Sequence, residues 1–298
     1  MSAVETDDQP LPQRLWTYTT ERFPLAGNGF LTALMCAGSI APLGSEAPLW
    51  KVVLSVFAVL PLFFIMRVAD EHKDYHDDLV YRPERAVPRG LISLGELRTV
   101  AAVAALVPPS LAIFVSPNTI VPLILAVAWI AAMSLEFGVK NWLRARPVLY
   151  LVSHMLAMPL LALVAISFAD PARLLSGRVA IILLLAFAAG LVLEVGRKLW
   201  APSEEREGVE TYSKLWGVRT AAIVWLVAAG AALMLGALAS GYHPVTLGAA
   251  LVAFIAATLA VLRYLRTTNA TRAKQMRFTA VLATALAYGL AVLGAPIQ

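Results

Sequence analysis

Between Arg67 and Gly90 five acids, Asp70, Glu71, Asp74, Asp77 and Asp78, crowd into nine positions of a chain that is otherwise strongly apolar. Asp70, Asp74 and Asp78 recur at every fourth residue. At about 100° per residue, a step of four returns to within about 40° of the same helix face, so the spacing predicts three carboxylates pointing one way. Like charges at that spacing repel by about 0.2–0.5 kcal/mol per pair on an exposed helix, and by more where water is excluded. The row therefore asks for a counter-ion. Mg²⁺ suits it, being a hard cation that takes oxygen ligands and is commonly held by one or two carboxylates while waters and substrate phosphates fill its other positions. A second polar segment, Glu194 to Tyr212, mixes Arg197, Lys198 and Arg206 with Glu204, Glu205, Glu207 and Glu210, and Pro202 interrupts it.

The elements that must hold these groups are membrane helices. Of 298 residues 59% are hydrophobic and 14% charged, and the mean hydropathy is +0.74, too apolar for a soluble domain of this length. Stretches of about 20 apolar residues, long enough to cross a bilayer, fall near 25–44, 50–69, 92–115, 119–138, 148–168, 178–196, 219–240, 245–265 and 277–296. The expected fold is an all-α, multi-pass membrane protein of nine helices in one domain, residues 24–298, preceded by a short polar arm, residues 1–23. Pro108 and Pro109 kink the third span, and Pro117 and Pro122 break the junction with the fourth. The arm has mixed charge and no cleavable signal pattern.

Basic loops lie in the cytoplasm. With the N-terminus inside and nine crossings, all of the 24 Lys and Arg residues except Lys51, Arg173 and Arg178 fall on the cytoplasmic side. Both acidic clusters, 70–78 and 204–210, then share that side and can build one site, although more than 120 residues separate them. Arg89, Arg98, Arg219, Arg263 and Arg266 read as interfacial anchors. The single Cys36 lies in the first span and offers neither a disulfide nor a thiolate metal site. Nothing in this distribution calls for a nucleic-acid partner.

The first cluster resembles the UbiA-type intramembrane prenyltransferases. That family carries N-D-x-x-D-x-x-x-D followed by P-x-R-x-[IV]-P-x-G. Here Asp70, Glu71, Asp74 and Asp78 take the acidic positions, and Pro83, Arg85, Val87, Pro88 and Gly90 take the others without a gap. Asp70 replaces the usual Asn and Glu71 the usual Asp, which keeps oxygen ligands. The second segment is similar to the family's D-x-x-x-G-x-x-[ST] through Glu204, Gly208 and Thr211, with Gly217 further on. Trp200 stands four positions before Glu204, where the family has another acid, and Glu194 is the nearest alternative.

The resemblance implies a helical bundle with a central cavity open to the cytoplasmic side, in the cytoplasmic membrane. It implies Asp70, Asp74, Asp78 and Glu204 as catalytic groups, and Mg²⁺ on Asp70, Asp74, Asp78, Glu194 and Glu204. Arg67, Lys140, Arg144, Arg197 and Lys198 become the candidates for diphosphate contact. Glu136 or Phe137 stands where a tyrosine often precedes the family's basic residue, here Lys140. The implied reaction, favoured by family base rate, is transfer of an isoprenyl group from a prenyl diphosphate to an acceptor; an aromatic acceptor is expected, with a tetrapyrrole, a glycerol-phosphate lipid or a specialised metabolite also admissible. A cyclase that captures the allylic cation within its own chain is the alternative. A carrier for an anionic lipid needs no carboxylate row and shows no paired broken helices.

Overall fold

The computed structural model describes residues 9–44 and 47–293. Among these the only regular secondary structure is helical, without strands. Helix α1 (Leu11–Arg22) precedes the first span, which contains α2 (Leu25–Ile40); the second span is α3 (Leu49–Lys73), followed by the short α4 (Tyr75–Tyr81). Helices α5 (Leu94–Ala104) and α6 (Val107–Val115) make the third span and α7 (Ile120–Ser134) the fourth, with α8 (Lys140–Arg144) after it. Helices α9 (Pro147–Met155) and α10 (Ala157–Ala169) make the fifth and α11 (Arg178–Arg197) the sixth. After α12 (Tyr212–Trp216) come α13 (Val218–Ala239), α14 (Pro244–Arg266) and α15 (Ala270–Leu293). Nine helices among the described residues are long and apolar enough to cross a membrane.

Helices are the outcome that hydrocarbon permits, because every backbone N–H and C=O must find its partner inside the segment. Several boundaries differ from the hydropathy expectation. The second span runs to Lys73, carrying Asp70 on its last turn. The fourth ends at Ser134, and Glu136–Gly138 forms a tight turn outside it. The ninth starts at Ala270, seven residues before the expected start, because the Asn269 side chain accepts from Arg272 N–H and the helix continues through polar residues that a hydropathy window rejects. Its expected end, 294–296, lies outside the described residues.

The arm is not free of the bundle. Residues 1–8 lie outside the described residues, while α1 buries Tyr18, at 0% exposure, and Phe23 follows it against Phe64 of α3. Arg14 makes two hydrogen bonds to Glu96 at 3.0 and 2.7 Å, and Arg22 pairs with Glu71 at 2.8 Å. Glu71, 2% exposed, is thereby committed to holding α1 on α3.

Small residues set the helix spacing. In membranes, packing and close backbone approach replace the hydrophobic effect as the force between helices. Buried Trp225 of α13 donates its indole N–H to the Val192 carbonyl of α11 at 3.1 Å. Gly236 of α13 lies against the backbone of Ala287 on α15, so closely that a methyl group would overlap the carbonyl oxygen. A backbone atom cannot swing aside as a side chain can. Gly236→Ala is therefore expected to destabilise the bundle by about 1–3 kcal/mol, read as a lower unfolding midpoint in detergent; an unchanged midpoint would show that the α13–α15 crossing is looser than this.

Candidate active site

The second span delivers the first motif to one end of the bundle. Helix α3 stops at Lys73, Asp74 adopts φ −94° and ψ 1°, and α4 resumes at Tyr75. The hydrogen-bond ladder still passes through this junction, from Asp74 N–H to the Asp70 carbonyl at 2.9 Å and from Asp78 N–H to the Asp74 carbonyl at 2.8 Å. The three aspartates keep their spacing but not a common role. Asp78 is 1% exposed and lies between Arg82, at 2.6 Å, and Arg85, at 2.8 Å, so two guanidinium groups already neutralise it. The following turn thus folds back onto the third acid of its own motif.

Asp70 and Asp74 are differently placed. The Asp70 side chain is 40% exposed and has the Lys73 ammonium at 3.5 Å. Burial pushes the Asp74 carboxyl above the usual aspartate range; Lys73 opposes the shift and Asp70 and Asp78 add to it. Two carboxylates side by side, one open and one crowded by like charge, fit a divalent cation held by one or two protein ligands. Among the described residues, however, no three Asp, Glu, His or Cys groups converge closely enough to hold a metal. The five-acid ligand set expected from the sequence is not gathered in one place.

Lys73 is the hub that the sequence reading missed. Its ammonium lies 3.5 Å from Asp70, 3.7 Å from Glu136 and 3.0 Å from the Tyr150 hydroxyl, and 5.7 Å from the centroid of that ring. Glu136 is 2% exposed and also faces Arg144 at 3.7 Å. Its backbone is left-handed at φ 52°, as is that of Phe137 at φ 53°, a conformation that side chains rarely adopt. Such strain persists only where surrounding structure fixes it. Here Phe137 packs edge-on to Trp129 and His154, and His154 stacks on Tyr150 at 3.9 Å. His154 Nδ1 lies 2.9 Å from the Tyr150 carbonyl, which makes that nitrogen the donor. Lys140 is exposed, and Arg67 is half-buried one turn before Asp70.

The second motif arrives on α11 and the loop after it. Glu194 lies 2.5 Å from Arg197 Nε and 3.1 Å from Lys198, with its side chain 13% exposed. Tyr212 lies beside Glu194, and its ring is 5.3 Å from the Lys198 ammonium. Burial, then the Glu194 charge, pushes the Tyr212 phenol well above its ordinary range. Asp70 is within electrostatic reach of Arg197, and Tyr150 of Tyr212, so the two motifs meet across the bundle.

Glu204 lies apart from this meeting. It pairs with Arg277 of α15 at 2.9 and 3.3 Å and accepts from Ala201 N–H at 3.1 Å, which fastens the loop to the ninth span. Thr211 caps α12 by accepting from Lys214 N–H, and Gly208 supplies the left-handed turn at φ 68°. Burial acts to raise the Glu204 carboxyl, but the hydrogen bonds from Arg277 and the Ala201 N–H, together with the Arg277 charge, outweigh it and hold the group below the usual glutamate range. A depressed carboxyl adds stability above its ordinary value, and that stability is lost as pH falls through the lowered one. Glu204→Gln is accordingly expected to lower the unfolding midpoint at neutral pH and to have less effect in acid. Equal losses at both pH values would contradict the assignment.

Beside the second motif an apolar cavity of ≈ 160 Å³ opens between α2, α3, α9, α10, α11 and α15. Leu31, Met35, Phe63, Met155, Met158 and Leu193 line it, with Glu194 and Arg197 at one end and Thr284 and Tyr288 also on its wall. It combines a greasy wall with a charged mouth.

Neither family sequence models nor curated protein sequences match this chain. Solved structures do. A digeranylgeranylglyceryl phosphate synthase structure aligns over 95% of this chain and 99% of its own, with a TM-score of 0.63 at 16% identity. A UbiA homologue from Aeropyrum pernix K1 covers 90% and 98%, with a TM-score of 0.67 at 13% identity. Another from Archaeoglobus fulgidus, bound to GPP and Mg²⁺, covers 92% and 98%, with a TM-score of 0.56 at 14% identity. The chain is a multi-pass membrane protein with the UbiA-type fold.

Proposed function

We propose that this protein is a Mg²⁺-dependent intramembrane prenyltransferase of the UbiA type, which moves an isoprenyl group from a prenyl diphosphate to an acceptor, an aromatic one in the favoured case. One observation carries the reading: an apolar cavity lined in part by Arg197, with Asp70 of the first motif within electrostatic reach of that guanidinium and Asp74 beside Asp70. A prenyl diphosphate has the same division into a hydrocarbon tail and an anionic head. The Archaeoglobus fulgidus homologue of the same fold binds GPP and Mg²⁺, which supports it. The site faces the cytoplasm, with the N-terminus inside and the protein in the cytoplasmic membrane.

Asp70 and Asp74 are the carboxylates that would hold Mg²⁺, and the cation supplies positive charge against the departing diphosphate. Arg197 and Lys198 bind the diphosphate oxygens, and Lys73 stands beside Asp70 to balance the carboxylates. The allylic C–O bond breaks with its electron pair leaving on the diphosphate. The cavity wall keeps water from the allylic cation, and the aromatic rings near Tyr150 can stabilise it by cation–π attraction. The acceptor then donates an electron pair to the allylic carbon and loses a proton.

Product analysis separates transfer from cyclisation. Purified protein is given geranyl, farnesyl and geranylgeranyl diphosphates with a panel of aromatic acceptors. A prenylated acceptor supports transfer. A cyclic hydrocarbon formed without any acceptor would replace the reading with a cyclase.

A further inference from the structure

We infer that the second motif is an anion cradle and not a metal site, so that the protein binds its diphosphate with a single divalent cation, on the Asp70–Asp74 side. The inference rests on the proposed prenyl-diphosphate reading and specifies how that head group is held. The Glu194 carboxylate has the Arg197 guanidinium on one oxygen at 2.5 Å and the Lys198 ammonium on the other at 3.1 Å, with the Tyr212 phenol beside it. A carboxylate with two cations and a phenol against it offers little to a metal, and its two cations repel one. Between Glu194 and Glu204 the chain has no other acid, and Glu204 and Glu205 are occupied by Arg277 and by Thr211.

The same arrangement is well suited to an anion. Arg197 gives its Nε to Glu194, which leaves the two terminal nitrogens of a guanidinium whose side chain is 55% exposed at the cavity mouth. Lys198, held over the Tyr212 ring at 5.3 Å, lies on the other side of the same carboxylate. Guanidinium and ammonium together leave a net positive charge after Glu194 is counted. Arg197 and Lys198 therefore hold the end of the diphosphate turned away from Asp70 and Asp74. Glu194 is a positioning residue: it orients both cations and touches no ligand itself.

Two measurements test this on the full-length protein in detergent. Mn²⁺ binding is counted by electron paramagnetic resonance in the presence of an unreactive thio-linked geranyl diphosphate. One bound Mn²⁺ per protein is expected, retained in Glu194→Gln and lost in Asp74→Asn. Two ions, falling to one in Glu194→Gln, would overturn the inference. Inorganic diphosphate binding is then measured calorimetrically in EDTA. The wild type should bind without metal, weakening as salt rises; Arg197→Gln and Lys198→Gln should each lose about tenfold or more in affinity, as expected for a charged hydrogen bond. Arg197→Lys, which keeps the charge, should lose less. Metal-free binding that neither Gln variant changes would overturn the cradle while leaving the prenyl-diphosphate reading intact. Failure to bind diphosphate with or without metal would overturn both.

Discussion

Asp74→Asn is expected to reduce turnover by at least about 10³-fold, on the scale of losing a main electrostatic stabiliser of a transition state, while the purified protein keeps its helicity and its elution position. The substitution preserves shape and leaves the backbone ladder through the α3–α4 junction intact, since that ladder uses the Asp74 N–H and carbonyl. It removes the carboxylate that burial and two neighbouring aspartates have made costly to keep charged without a cation. The folded state therefore gives up nothing it needs. Asp78→Asn should behave in the opposite way. Arg82 and Arg85 would lose their common buried partner, so stability should fall first and activity with it. Steady-state kinetics and thermal unfolding of the two variants separate these cases. Equal losses of stability would show that Asp74 is a structural acid like Asp78.

Gly190→Leu is expected to cost about 10²-fold in product formation, the scale associated with misplacing a reacting group by about an ångström. Gly190 forms part of the cavity wall, and a methyl group there already meets Met158 Cγ at 2.7 Å and Met155 Sδ at 3.2 Å. Methionine is adaptable enough to yield to one carbon. It cannot yield to four in a space of ≈ 160 Å³. The expected signature is a block on the prenyl tail alone, with KM for geranyl diphosphate raised and the affinity for inorganic diphosphate unchanged. Loss of both affinities would mean that the substitution had displaced Glu194 and Arg197, one and two turns further along α11. Full activity would remove the tail from this cavity.

The aspartate spacing, the proline-bounded turn and the nine apolar stretches were legible because each is local. A period of four and a run of about 20 apolar residues need no knowledge of the rest of the chain. What escaped depends on partners far away in sequence. Glu204 and Glu194 look equivalent as acids in one segment, and the spacing to Gly208 and Thr211 favours Glu204. Only the fold reveals that Arg277, 73 residues on, holds Glu204 while Glu194 sits at the cavity. Lys73 reads as a helix-end cation at i+3 from Asp70. Its contacts with Glu136 and Tyr150 require α3, α7 and α9 to converge first. Glu136 carried a weaker signal, an acid at the end of an apolar span, but nothing in its neighbours announces a left-handed backbone at a non-glycine residue. The arm read as polar from its composition, and the burial of Tyr18 depends on Phe64, two elements away.

The measurement that bears most directly on the account is release of diphosphate from geranyl, farnesyl and geranylgeranyl diphosphates by the purified protein, with and without Mg²⁺. The account predicts release that needs Mg²⁺, disappears in Asp74→Asn, and falls in Arg197→Gln. Release at the same rate in EDTA, or from the Asp74→Asn protein, would contradict it.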